Sequence, residues 1–271
     1  MTTNTAPGES FEPKFDDRRA AGISRIGLIV PSSNTTMETE LPELFRRQSA
    51  ATGHRYTFHS ARAGMKQVNK QELLAMVGKA GDCASAVSDA DVDVIAYACL
   101  VAVMAQGPNA HCQSEDVIRD AAAANGHPAQ VSSSAGALVR ILARMGAKRV
   151  AVITPYVPEL TAVVKAYIEG AGIEVSQTVA LAVADNLAVG QLSTDNLPIL
   201  ARQFDLAGVD AIVLSACVQM PSLAAIQPVE DELGLPVISA AVATTFEVLE
   251  KLGHKPQIKD AGRLLAGRLD I

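Results

Sequence analysis

The chain has 271 residues, of which 49% are hydrophobic and 19% are charged, a composition typical of a packed globular protein rather than a disordered one. Its formal net charge of -6 offers no basic surface for nucleic acid, and no apolar run is long enough to cross a membrane. Tryptophan is absent and aromatic residues make up only 4%, so Ala, Val, Leu and Ile must build the core. This composition favours a buried parallel sheet covered by helices.

The N-terminal residues 1–23 contain no apolar core of the signal-peptide kind, and we interpret them as a flexible tail. The four cysteines do not resemble a secreted disulfide framework, and they include no C-x-x-C pair typical of a zinc site. The five histidines also lack the spacing of metal ligands. We therefore predict a cytoplasmic protein without a metal site.

Apolar runs and helical periodicities alternate along the rest of the chain. The predicted elements are strand 24–31, helix 36–48, strand 55–60, helix 70–88, strand 93–98, helix 115–124, strand 129–133, helix 136–145, strand 148–154, helix 159–171, strand 174–182, a mostly helical stretch 192–206, strand 210–216, helix 226–233, strand 236–239 and helix 241–252. This alternation predicts an α/β fold with parallel strands.

The second half of the chain repeats the first in three segments that keep the same order. The matching segments are 24–33 with 148–157, 91–99 with 208–217, and 129–149 with 236–256. We predict two similar lobes related by a pseudo-two-fold duplication. Each lobe is a mainly parallel sheet flanked by helices, and the active site lies at the lobe interface. The predicted limits are 24–128 plus 237–271 for lobe one and 129–236 for lobe two.

Cys99 and Cys217 stand at the same point of matching units, each directly after an apolar strand. Sites in parallel sheets form at the carboxyl ends of strands, and a nearby helix N-terminus lowers the pKa of a thiol. A small buried hydrophobe is the alternative interpretation of one such cysteine. The matched pair favours two thiols that act on either side of a small planar substrate. Cys83 and Cys112 do not match each other, and we interpret both as structural.

Polar residues follow three other strands that lead to the same interface. The segment 31–36 (PSSNTT) is typical of helix capping, but its N–H groups and the Asn34 amide also suit a carboxylate. Tyr156, at the equivalent place in the second half, carries a hydroxyl that can donate to a second carboxylate. Asn186 follows a further strand, where a plain turn is the alternative interpretation. Glycine-rich phosphate loops and a G-x-S-x-G nucleophile elbow do not occur in the sequence.

These motifs resemble the aspartate/glutamate racemase superfamily. Five of them are similar to the maleate cis-trans isomerase family: PSSNTTMETELP, YACLVAVMAQG, TPYVPELT, ADNLAVG and LSACVQMPSL. The resemblance extends from about residue 23 to about residue 252. Amino-acid racemases typically have Cys-Asn-Thr and Cys-Thr-His where this chain has Cys99-Leu-Val and Cys217-Val-Gln. Arylmalonate decarboxylases keep only the second cysteine, whereas this chain has both.

The resemblance implies cofactor-independent isomerisation of maleate to fumarate through a succinyl-like cysteine adduct. It makes Cys99 the nucleophile and Cys217 the acid/base partner. The groups implied to hold the carboxylates of this small dicarboxylate are three side chains and the backbone amides around two further residues: Asn34, Tyr156, Asn186, Val101 and Val218. Degradation of nicotinate or of aromatic rings is the implied context. We also expect a homodimer, because most soluble oligomers are symmetric dimers.

Three other functions suit the same residues. A racemase or epimerase would exchange a proton at one carbon with the same two thiols. A decarboxylase of a malonate-like acid would tolerate the loss of Cys99. A protein that only binds small acids would show no turnover and would tolerate the loss of both cysteines.

Overall fold

The computed structural model describes residues 12–16, 22–269 and 271. Most of the predicted N-terminal tail, residues 1–23, therefore lies outside the described residues. Within the described part of the chain, helices alternate with strands, and no helix combines the length and the apolarity needed to cross a bilayer.

Among the residues that the structure describes, the first half of the chain forms four strands and six helices. They are β1 (Ile23–Pro31), α1 (Met37–Thr52), β2 (Arg55–Ala63), α2 (Lys70–Val77), α3 (Ala80–Ser88), β3 (Val94–Tyr97), α4 (Leu100–Met104), α5 (Ala110–Ala124), β4 (Gln130–Ser133) and α6 (Ser134–Arg144). The second half also forms four strands and six helices. They are β5 (Arg149–Thr154), α7 (Pro158–Gly170), β6 (Glu174–Ala180), α8 (Asn186–Val189), α9 (Asn196–Ala201), β7 (Ala211–Ser215), α10 (Leu223–Leu233), β8 (Val237–Ser239), α11 (Ala240–Lys251) and α12 (Gly262–Leu265).

The strands form two four-stranded parallel sheets with the same internal order, β2-β1-β3-β4 and β6-β5-β7-β8. Strands that match in sequence occupy matching positions, β1 with β5, β3 with β7, and β4 with β8. The predicted α/β fold of two similar lobes is thus confirmed. Strands β3 and β7 are buried along their whole length, as expected for parallel strands with helices on both faces.

The strand pairing differs from the predicted lobe limits at residues 129 and 237. Strand β4 pairs with β3 in the first sheet, and β8 pairs with β7 in the second, because each is the fourth strand of its own repeat. Helix α11 nevertheless packs against α1, β3 and β4, so the C-terminal segment does contribute to the first lobe. How the helices divide between the lobes stays a prediction.

Two predicted helices are shorter in the structure. The predicted helix 70–88 is interrupted at Gly78 and Lys79 and forms α2 and α3, since glycine is a poor helix former. The stretch 192–206 is helical only over α9. The sequence did not reveal helices α4 and α8, because five and four residues are too few to show a helical period.

The two central strands of each sheet place their loops beside each other. Strands β1 and β3 are neighbours, so the loop after Pro31 lies next to Cys99. Strands β5 and β7 are likewise neighbours, which puts Tyr156 next to Cys217. Because the two sheets meet at these carboxyl ends, the four loops form one site.

Candidate active site

The two predicted cysteines lie together in the interior between the lobes. Cys99 is 3% exposed and Cys217 is 4% exposed. Burial raises the pKa of the Cys99 thiol to about 12, and the charge of Cys217 adds to that rise. The Cys99 thiol thus responds to the charge of Cys217, as expected for groups that act on one small molecule.

Cys99 leads from β3 directly into the short helix α4. It is the residue that precedes the first helical position, and its side chain does not cap the helix. The N–H of Ala102 in the first turn nevertheless lowers the pKa of the Cys99 thiol and so partly offsets the effect of burial. All five residues of α4 are buried, so packing around this helix fixes the position of the Cys99 backbone.

Cys217 lies in an irregular loop between β7 and α10. Burial raises the pKa of its thiol, but the Tyr156 hydroxyl and the N–H groups of Gln219 and Met220 act in the opposite direction. The N–H of Gln219 lies 3.3 Å from the Cys217 Sγ. The Ser215 hydroxyl donates to the Cys217 carbonyl at 2.9 Å and fixes the turn that follows the strand. Cys217 is therefore surrounded by donors suited to a thiolate.

Tyr156 follows β5 and is 3% exposed. Burial raises its pKa well above the ordinary value, and the negative charges that Cys217 and Cys99 can carry add to this rise. The phenol is therefore neutral in the physiological pH range. It serves as a hydrogen-bond donor whose hydroxyl contacts the Cys217 thiol.

Asn34 has the helix-capping contacts that its sequence context suggested, and its carboxylate binding stays a prediction. Its Oδ1 accepts hydrogen bonds from the N–H groups of Thr36 at 3.1 Å and Met37 at 2.9 Å, at the start of α1. Its Nδ2 donates to the Val218 carbonyl at 3.3 Å, across the lobe interface. Because helix capping fixes the amide oxygen, the amide nitrogen must face the Cys217 loop. A fully buried amide held in this orientation is suited to donate to a carboxylate.

Asn186 is the first residue of α8 and is 3% exposed. Its Nδ2 donates to the Ser33 hydroxyl at 2.8 Å, so it lies beside the loop that contains Asn34. The turn expected here is also present, since the Asp185 side chain caps α8 by accepting from the N–H of Ala188 at 2.8 Å. The structure thus brings Asn34, Asn186 and the Cys217 loop together.

Val101 and Val218 lie in the segments directly after the two cysteines and are 3% and 5% exposed. The amides that bond the sulfur atoms come from residues farther along the chain, namely Ala102 after the first cysteine and Gln219 and Met220 after the second. The Val218 carbonyl contacts Asn34. Donation from the amides of Val101 and Val218 to a carboxylate stays a prediction.

Two buried polar residues of this region were not identified from the sequence. Gln219 is 2% exposed and Glu40 is 8% exposed. Glu40, on α1, accepts from the N–H groups of Ser222 at 2.6 Å and Leu223 at 2.7 Å and so caps α10 of the other lobe. A glutamate in the first turn of an amphipathic helix is ordinary, so no local signal pointed to a contact between the lobes.

The donor set of the site consists of thiols, amides and one phenol. Among the residues that the structure describes, no group of three or more His, Cys, Asp or Glu side chains is placed to hold a metal ion. Two thiols beside amide donors are suited to add a nucleophile to one carbon and a proton to its neighbour, with carboxylates held by the amides.

Comparison with known sequences places this arrangement among related proteins. The sequence model of the arylmalonate decarboxylase family matches residues 26–265. The chain is 51% identical over 245 residues to the maleate isomerase of Pseudomonas putida, with 90% of this chain and 98% of that relative covered. It is 49% identical to the maleate isomerase of Geobacillus stearothermophilus over 245 residues, with the same shares covered.

Solved structures give the same result. A crystal structure of a Pseudomonas putida maleate isomerase matches with a TM-score of 0.89 at 48% identity, covering 91% of this chain and 99% of that one. A Nocardia farcinica maleate cis-trans isomerase, a cysteine-to-serine mutant with a covalently bound succinylcysteine intermediate, matches with a TM-score of 0.88 at 45% identity and the same coverage. Arylmalonate decarboxylase, at 19% identity and a TM-score of 0.67, covers 89% of this chain and 98% of its own and shares the fold alone.

Proposed function

This chain belongs to the maleate isomerase family, within the wider arylmalonate decarboxylase family, and we propose that it converts maleate to fumarate by reversible addition of a cysteine thiol. One observation carries the proposal. Two buried thiols stand at equivalent ends of two duplicated units, between loops that present buried amide groups. The succinylcysteine intermediate of the Nocardia farcinica relative is the adduct that such an addition forms.

Cys99 is the proposed nucleophile. Maleate cannot rotate about C2–C3 while that bond is double, and a new bond from the Cys99 sulfur to C2 makes it single. The electron pair of the double bond moves to C3 and its carboxylate, where hydrogen-bond donors stabilise the charge. After rotation the pair returns, the carbon–sulfur bond breaks, and fumarate leaves.

Cys217 is the proposed acid and base. Burial raises the pKa of both thiols, so each holds its proton in the unliganded protein at neutral pH. During addition Cys217 gives its proton to C3 and regains one from Cys99. The net reaction adds sulfur and a proton across the double bond and then reverses, so it needs neither an oxidant nor a reductant. The Tyr156 hydroxyl stabilises the transient Cys217 thiolate.

The carboxylates are held by neutral donors in this proposal. Asn34 and Asn186 supply amide N–H groups, Tyr156 supplies its hydroxyl, and the backbone around Val101 and Val218 supplies further N–H groups. The buried positions of all five residues support this assignment, since hydrogen bonds to a charged group are strong where water is excluded. Rotation moves one carboxylate relative to the other, so at least one set of donors must serve both geometries.

The proposal extends to the setting of the reaction. No cofactor enters the steps above, and a dicarboxylate from the breakdown of nicotinate or another ring fits the substrate class. A cytoplasmic location is supported by the requirement for two reduced thiols, which persist in that compartment. A homodimer is the expected assembly, and light scattering of the purified protein checks it.

Proton NMR of maleate mixed with freshly reduced protein and a metal chelator tests the proposed function. The fumarate vinyl signal should appear with the wild type and with Cys112→Ala, which removes an exposed free thiol outside the site. It should be lost with Cys99→Ala. If protein with titratable thiols forms no fumarate, the proposal fails. Deuterium exchange into a chiral amino or hydroxy acid would then favour a racemase.

A further inference from the structure

The side chain of Gln219 contacts two separate segments of the site at once, the loop of Asn34 and the first turn of α8. Its Oε1 accepts hydrogen bonds from the N–H groups of Thr35 at 2.8 Å and Thr36 at 3.3 Å. Its Nε2 donates to the carbonyl groups of Ser33 at 3.2 Å and Asn186 at 2.9 Å. The primary amide is therefore occupied on both its oxygen and its nitrogen, and Gln219 is only 2% exposed.

The backbone of Gln219 makes two further hydrogen bonds to groups of the site. Its N–H lies 3.3 Å from the Cys217 sulfur, and its carbonyl accepts from the Thr36 hydroxyl at 2.6 Å. One residue thus joins the loop of Cys217, the loop of Asn34 and the first turn of α8 with Asn186. The first of these comes from β7, the second from β1 in the other lobe, and the third follows β6.

The space around this amide is kept open by a glycine. A Cβ atom on Gly190 would lie 2.5 Å from the Gln219 Nε2 and 2.7 Å from the Thr35 Oγ1, both closer than real atoms approach. The backbone of Gly190 has φ −67° and ψ −12°, which any residue adopts. Glycine is therefore required here by the contact with Gln219 and not by backbone conformation.

We propose that Gln219 is the positioning residue of this site, which fixes the two asparagine-bearing loops relative to each other and to Cys217. This inference rests on the proposed function, because it takes Asn34 and Asn186 as the groups that hold the two carboxylates. A dicarboxylate is bound well only if the distance between the two asparagine amides matches the distance between its two carboxylates. Without the Gln219 amide, the first turn of α8 loses its bond to the Cys217 loop, and the Asn34 loop of the opposite lobe loses its bonds to the same side chain, so that separation is less firmly set.

A set of four variants tests the inference. Gln219→Ala removes all side-chain contacts, and Gln219→Glu keeps the acceptor toward Thr35 but removes the donor toward Asn186. In Gly190→Ala, the added methyl group pushes the Gln219 amide out of its position. Gly170→Ala is the matched control, because Gly170 is a helical glycine with open space around it. The KM and kcat for maleate, and the affinity for succinate by calorimetry, are measured for each protein.

We expect the variants to change KM more than kcat. KM for maleate and Kd for succinate rise about tenfold or more in Gln219→Ala, Gln219→Glu and Gly190→Ala, with a smaller change in kcat, because ground-state positioning is lost. Gly170→Ala matches the wild type. Gly190→Ala added to Gln219→Ala has a smaller effect than Gly190→Ala alone, since the clash with the Gln219 amide is gone and only that with the Thr35 hydroxyl remains. A purely structural role would instead reduce thermal stability while leaving KM unchanged in the folded fraction.

The outcomes separate this inference from the proposed function. Succinate binding that stays within twofold of the wild type in folded Gln219→Glu and Gly190→Ala overturns the positioning role. An additive double variant overturns it too. If Gln219→Ala does not fold, the other two variants still decide. Failure of the wild type to form fumarate, with succinate binding weakened in the variants, would overturn the reaction and leave the positioning role in place.

Discussion

Cys99 and Cys217 stand at equivalent ends of two duplicated units, but the chain continues from them in different ways. After Cys99 it enters the short helix α4, where one N–H, that of Ala102, acts to lower the pKa of the thiol. After Cys217 it forms an irregular loop, and the sulfur faces the Tyr156 hydroxyl together with two N–H groups. The same strand position has thus acquired two environments.

This difference gives the two thiols different chemistry. Donors around Cys217 stabilise its thiolate, so it releases a proton more readily and suits the acid. Cys99 has fewer donors, and a thiolate with a higher pKa is the stronger nucleophile once formed. Duplication supplied two equivalent positions, and in the proposed mechanism the connections that follow the strands make one thiol the nucleophile and the other the acid. Three predictions test this assignment and a fourth concerns the nearby Glu40, and they run from the largest expected effect to the smallest.

Replacement of Cys217 should separate the addition of Cys99 to maleate from the release of fumarate. We expect kcat of Cys217→Ala to fall by about 10²–10⁴-fold, the usual contribution of general acid–base catalysis. An adduct of one maleate equivalent should accumulate on Cys99, visible in the mass of the intact protein. An adduct on Cys217 in the Cys99→Ala protein would reverse the two roles.

Removal of the Tyr156 hydroxyl should make the hydrogen-bonding environments of the two thiols more alike. Tyr156→Phe loses a donor to the Cys217 thiolate, and a bond to a charged group of about 1.5–3 kcal/mol corresponds to a fall in kcat of about 10–100-fold. Tyr167→Phe is the matched control, because that hydroxyl bonds His111 away from the cysteines. Equal losses of kcat in the two variants would contradict the assignment.

Thiol titration should show the order of ionisation directly. Burial raises the pKa of Cys99 to about 12, so at a pH of about 10 only about 1% of it is thiolate. The ultraviolet thiolate absorbance of Cys99→Ala should therefore equal that of the wild type up to this pH. Cys217→Ala should lose absorbance at lower pH. A loss of absorbance that appears first in Cys99→Ala would contradict the comparison.

The smallest effect is expected at Glu40. Burial raises the pKa of this carboxyl above its ordinary value of 4.5, although the N–H groups of Leu223 and Ser222 oppose the rise. The folded protein therefore keeps a proton that the unfolded chain releases, so stability falls as the pH rises from 4.5 through the raised pKa. Glu40→Gln should flatten this part of the curve of unfolding free energy against pH, measured with urea. An unchanged slope would show that another group is responsible.

Sequence reasoning predicted the two-lobe fold because each sheet is built from contiguous βα units whose apolar runs are visible locally. It also singled out Cys99, Cys217, Asn34 and Tyr156, because each follows a recognisable strand. Gln219 and Gly190 left no such signal. Their importance depends on hydrogen bonds between residues as many as 186 positions apart, and no local pattern encodes that distance.

The predicted lobe limits differ from the observed strand pairing for a related reason. Strand β4 is followed by α6 and strand β8 by α11, so the two segments look interchangeable in sequence. Only the pairing with β3 or β7 decides which sheet receives each strand. Partners for a parallel strand come from distant parts of the chain, and residue type alone does not identify them.

Helix α11, near the C-terminus, packs on α1, β3 and β4 of the first sheet, and its Glu247 bonds Ser132 and Arg140. During synthesis on the ribosome, the strands of the first sheet emerge more than a hundred residues before this covering helix. The first lobe therefore cannot complete its core until residue 251 has left the exit tunnel. The part of the protein made first therefore waits for a segment made late, and its sheet stays partly uncovered, and open to aggregation, meanwhile.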